Sequence, residues 1–135
     1  MQPIGISSFP YLIHTNRELG MMLRGEKPLA NFCDVRDRFP EVVTRYLRLF
    51  DRHVASGRFI RHDHLSTASE SSQQVLHRIL FALPGEEWRI QAMVELHEKQ
   101  NWTQALERRE GELLGYTDWQ NDFYMANYGV RFPTS

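Results

Sequence analysis

With 135 residues, 41% apolar and 12% aromatic, the chain can bury the core of one domain and is too apolar for a disordered segment. Its formal net charge of −1 gives no overall pull toward nucleic acid or an anionic membrane. A single cysteine, Cys33, excludes an intrachain disulfide and any CxxC or cysteine-rich zinc pattern.

The N-terminal MQPIGISSFPYLIH lacks the basic and apolar regions of a secretory leader. No stretch approaches the roughly 18–20 apolar residues of a membrane helix. The expectation is a single-domain protein in the cytoplasm with no membrane partner. Charge is uneven along the chain. Residues 1–65 hold 10 Lys and Arg against 7 Asp and Glu, and residues 66–135 hold 6 against 10. Such a difference can orient a partner or a dimer, or be two solvated faces.

Taken in order, residues 4–14 are β-branched and aromatic around Pro10 and read as an extended segment or an edge strand. Thr15 and Glu18 have capping-box spacing, followed by Leu19, Met22 and Leu23 on the inner face of a short helix that Gly25 ends. Residues 28–32 (PLANF) read as a strand. From Pro40, the apolar residues Val43, Tyr46, Leu47, Phe50 and Val54 recur at helical spacing, with Arg45, Arg48 and Arg52 opposite and Gly57 after. Residues 58–65 alternate as a strand, with Phe59, Arg61, Asp63 and Leu65 on one face and Ile60, His62 and His64 on the other.

Thr67 and Glu70 form a second possible capping box. The apolar run at 75–83 after it fits either a helix or a buried strand, and the cap and length favour the helix. Pro84, Glu86 and Glu87 suit the start of a helix carrying Trp88, Ala92, Met93 and Leu96 on one face. Asn101 reads as the next N-cap, before Trp102, Ala105, Leu106, Arg109, Leu113 and Leu114, with Glu107, Arg108, Glu110 and Glu112 outward. Gly115 closes this helix. Thr117 and Gln120 then box the start of a last one, carrying Trp119, Phe123, Tyr124 and Tyr128. The fold class is α+β, helix-rich, one domain with a sheet of two to four strands, and an all-α domain as the alternative.

No stretch carries a Gly-rich phosphate loop, a nucleophile elbow or an HExxH helix. Enzyme or non-enzyme is left open, and no cofactor is implied. His62 and His64 share a strand face and, with His53, could begin a divalent-metal site. Glu95 and His97 stand two apart on a helix, so at most one could join. A polar strand face accounts for the same residues without a metal, and Cys33 after Phe32 reads as a small buried hydrophobe.

Residues 103–124 are similar to a helix-turn-helix, but residues 102–135 hold three arginines against five carboxylates, which argues against nucleic acid there. Arg45, Arg48 and Arg52 make the better basic face. The first functional expectation is a non-catalytic module that binds a protein partner or itself, as a homodimer. It would act through its helical aromatic half, with Trp119, Phe123, Tyr124 and Tyr128 at the interface. The alternative is an enzyme or small-molecule binder. Its pocket would be lined by Trp88, Tyr116 and Trp119, with His62, Asp63 and His64 as polar groups.

Overall fold

The computed structural model describes residues 9–67 and 73–134. In chain order these form α1 (Glu18–Leu23), β1 (Leu29–Val35), α2 (Glu41–Ala55), β2 (Ile60–Thr67), β3 (Val75–Ala82), α3 (Trp88–His97), α4 (Gln104–Leu114) and α5 (Asp118–Tyr128). A 3-10 turn at Gly129–Arg131 follows. The α+β class read from the sequence is the one observed. The sheet has three antiparallel strands in the order β1-β3-β2.

β3 is where the sequence reading goes astray. Residues 75–82 form a strand, not a helix, and it is the central one. Ile79 and Phe81 pack toward α1 and α2, with Met22, Ala30, Leu47, Phe50 and Phe59. Leu80 and Ala82 pack toward α3 and α4, with Leu29, Ile90, Met93, Val94, Leu96 and Leu113. Helices thus cover both faces of the sheet. A strand buried on both faces loses the alternation that marks a half-exposed one, so its apolar run looks helical. The second capping box, which favoured the helix, lies largely outside the described residues.

Other differences have local causes. Residues 9–14 form no strand, and residues 4–8 of that reading lie outside the described part. Thr15 does not cap α1. Asn16 takes a left-handed conformation and Arg17 becomes the N-cap without a side-chain bond. The Tyr46 hydroxyl from α2 instead accepts the Leu19 N–H at 2.9 Å and donates to Glu18 at 3.2 Å. Pro84 and Gly85 form a turn before α3 rather than its first turn. Asn101 is also left-handed, and Thr103 caps α4 by accepting from the Leu106 N–H. Ala105 and Arg109 are exposed, not on the inner stripe. Cys33 is exposed as well. It shares a face with Leu29 but lies farther along β1 than the core that α3 and α4 complete.

The turn between α4 and α5 follows its sequence signals closely. Thr117 and Gln120 form the capping box of α5. Arg89 donates to the carbonyls of Glu112 and Leu113 at 3.0 and 3.1 Å, a cation placed on the C-terminal end of α4. Gly115 ends α4 with φ of 99°, and a β-carbon there would lie 2.5 Å from Pro28 Cδ. We expect Gly115→Ala to lose about 1–3 kcal/mol of stability in urea denaturation, since left-handed backbone and contact with Pro28 both oppose it. An unchanged midpoint would mean that the turn rearranges freely.

Candidate ligand cavity

The aromatic residues of α5 are covered by the segment that precedes α1. Tyr11 packs edge-on against Trp119 (5.2 Å between centroids) and Phe123 (5.9 Å), and its hydroxyl donates to the Gln120 carbonyl at 3.1 Å. Phe9 stacks on Tyr128 at 5.7 Å and meets Phe123 edge-on. Chain ends more than 100 residues apart in sequence thus share one aromatic cluster.

Between this segment and α4 and α5 lies a cavity of about 510 Å³. Its walls include five aromatic side chains, Phe9, Tyr11, Tyr116, Tyr124 and Tyr128. α4 contributes Glu107, Glu110, Gly111 and Leu114, at i, i+3, i+4 and i+7, so one helix face points into the space. α5 contributes Asn121, Tyr124 and Tyr128 on the same rule. Gly111 lets the two helices approach. A β-carbon there would stand 2.2 Å from Asn121 Oδ1, and Asn121 is buried and donates to the Tyr116 carbonyl at 3.2 Å.

The polar groups of the cavity are held in place. Glu107 accepts from Trp102 Nε1 at 2.7 Å and from the Tyr124 hydroxyl at 2.9 Å. Arg131 donates to that hydroxyl at 3.1 Å and lies 5.3 Å from the Tyr128 ring centre. Glu110 pairs with His97, which stacks on Trp102. Burial, reinforced by the Glu107 carboxylate, pushes the Tyr124 hydroxyl up to about 12. Burial first, then Tyr116 and Tyr128, does the same for Tyr11. Both phenols therefore stay protonated at neutral pH and act as hydrogen-bond donors.

A second polar cluster lies behind the wall. Lys27 is 1% exposed. Its Nζ donates to the Leu114 carbonyl at 2.8 Å and is 2.8 Å from His14 Nδ1. His14 stacks on Tyr116 at 3.7 Å, and its backbone N–H donates to the Tyr116 hydroxyl. Burial lowers Lys27 to about 7, and burial with Lys27 nearby lowers His14 to about 3. Neutral His14 thus accepts from Lys27 at neutral pH. Sequence reasoning missed both residues, because neither stands in a pattern that marks burial.

The residues singled out in the sequence are dispersed. Tyr116, Tyr124 and Tyr128 line the cavity, and Trp119 and Phe123 back its Tyr11 wall. Trp88 is half-exposed at the start of α3, under the Arg89 guanidinium at 4.6 Å, and does not line the cavity. His62 and His64 share one face of β2, and Asp63 points to the other, where Arg61 and His77 bind it at 2.8 and 2.7 Å. Arg61 also bridges to Asp51 of α2. The hydrogen bond from Arg61 first, and that from His77 after it, hold the Asp63 carboxyl down to about 2 against the burial that raises it. His53 packs against Phe59. Among the described residues, no three His, Cys, Asp or Glu side chains converge as metal ligands. Arg45, Arg48 and Arg52 lie exposed along α2, with Arg45 paired to Glu41 at 2.9 Å. No helix among the described residues is long and apolar enough to cross a membrane.

Fold and site together define a small α+β domain with helices on both faces of its sheet and an aromatic, carboxylate-bearing cavity at one side. Comparison with models of known families, with curated proteins and with solved structures finds no match.

Proposed function

We propose that the chain is a non-catalytic binding module whose site is the cavity between residues 9–15 and helices α4 and α5. One observation carries this reading: a space of about 510 Å³ with five aromatic walls and hydrogen-bonding groups fixed by their neighbours. Ligand sites commonly have this size, apolar lining and sparse convergent polarity. The reading keeps binding in the aromatic C-terminal half and gives it a concave receptor. The protonated phenols support binding as hydrogen-bond donors toward a ligand's polar groups.

Titrating a small-fragment set into 15N-labelled protein tests this. Amide shifts caused by the fragments are expected at Tyr11, Gly111, Tyr116 and Asn121. Hits confined to the outer face of α2, or to His62 and His64, would reject the cavity as the site.

A second reading is self-association through the same half. Trp119 is 52% exposed and Val130 79% exposed, which leaves apolar surface there for a second copy to cover. Sedimentation equilibrium would return a dimer mass if this holds, and Trp119→Ser would return it to a monomer.

A further inference from the structure

We infer that the cavity selects an organic cation, a small molecule carrying an ammonium group on an apolar body. This rests on the reading of the cavity as a binding site and concerns the charge of what enters. Among the described residues, two carboxylates, Glu107 and Glu110, line the space against one guanidinium, Arg131. Among the described residues Glu107 receives only neutral donors, the Trp102 indole N–H and the Tyr124 hydroxyl, so these hydrogen bonds bring it no counter-charge. Glu110 is engaged by the His97 ring.

The rings strengthen this preference. Aromatic faces carry negative potential and attract cations, most strongly where water is displaced. One of the wall's rings already has a cation of the protein itself against it, Arg131 at 5.3 Å from the Tyr128 centre. An anionic ligand would meet both carboxylates. A neutral one would fill the apolar walls but leave Glu107 without a charge partner. An ammonium ligand satisfies the rings and the carboxylates together.

The other features of the surface carry less. The groove on α2 has apolar Val42 and Leu49 between Arg45, Arg48 and Arg52, but its shape names no occupant. The hollow that His64, Arg78, His97, Glu98 and Lys99 help to line is mixed in charge and names no occupant.

The test uses three probes with one ring and different charge: benzyltrimethylammonium, benzyl alcohol and benzoate. Affinities come from amide-shift titrations of the whole chain. The cation is expected to bind at least about tenfold more tightly than the alcohol, and benzoate more weakly than either. Glu107→Gln should reduce cation binding about tenfold and bring the cation and the alcohol to similar affinity. Glu110→Gln provides a second carboxylate loss should Glu107→Gln lower the melting temperature. Equal binding of cation and alcohol at the cavity would overturn the charge preference and leave the binding site standing. If benzoate binds best, the inference fails through Arg131. If no probe shifts the cavity amides, the site itself is lost and the inference with it.

Discussion

Phe50→Ala is expected to remove about 3–5 kcal/mol of stability, measured as the shift in the urea midpoint at constant slope. Phe50 is fully buried in the layer between α2 and the sheet. Its ring stacks on Phe81 at 4.6 Å between centroids, and Phe32, Tyr46 and Phe59 surround it within 5.7 Å. Those neighbours sit on β1, β3, α2 and the turn before β2, so no single element can move to fill the space the ring leaves. The penalty then combines lost burial with an unfilled cavity. A typical domain has a total stability of about 5–15 kcal/mol, so the loss would be a large fraction of the whole. A loss below about 1 kcal/mol would mean that α2 turns another face to the sheet.

The second large effect is a stability that climbs with pH because of Lys27. Unfolded lysine keeps its ordinary value of 10.5, whereas burial lowers the folded amine to about 7. Between those values the unfolded chain binds a proton that the native chain does not. Stability therefore rises with pH across that window, by up to about 1.4 kcal/mol per unit, and is flat below 7, where both states hold the proton. The full contribution is of the order of 5 kcal/mol. His14 adds the same sense lower down, losing stability as pH falls from 6.5 toward about 3. Tyr11 and Tyr124, raised to about 12, act oppositely and only above 10, so pH 7–10 isolates the lysine.

Lys27→Met would remove the slope. It would also strand the Leu114 carbonyl and His14 Nδ1, a cost of about 1–3 kcal/mol. The variant should be the more stable form near pH 6 and the less stable form near pH 10. Urea midpoints at those pH values check this crossing, and parallel curves would show that the native amine stays charged.

Much of the fold was legible because its signals are local. Phe50 stands in a helical stripe bounded by Pro40 and Gly57. Gly115 and the Thr117–Gln120 pair fix a turn within a few residues. β3 was not legible, because being central and covered on both faces erases the period of two on which strand reading rests. The cap at α1 was not legible either, since Tyr46 supplies it from α2.

The site divides in the same way. Tyr116, Tyr124 and Tyr128 stood out as aromatic residues in one half of the chain. Glu107 and Glu110 read as an outer charged face, although their spacing with Gly111 and Leu114 already put them on one helix side. What no local pattern could show is the other wall, because Phe9 and Tyr11 reach α5 from the far end of the chain. Lys27 and His14 were equally hidden, since their burial comes from α4 and Tyr116.

The most direct measurement is a crystal structure of the chain grown with benzyltrimethylammonium. The account predicts density for the probe between Tyr11, Tyr116 and Tyr124, with its ammonium turned toward Glu107 and Glu110. Density only on the α2 face, or in the cavity with the ammonium against Arg131, would contradict it.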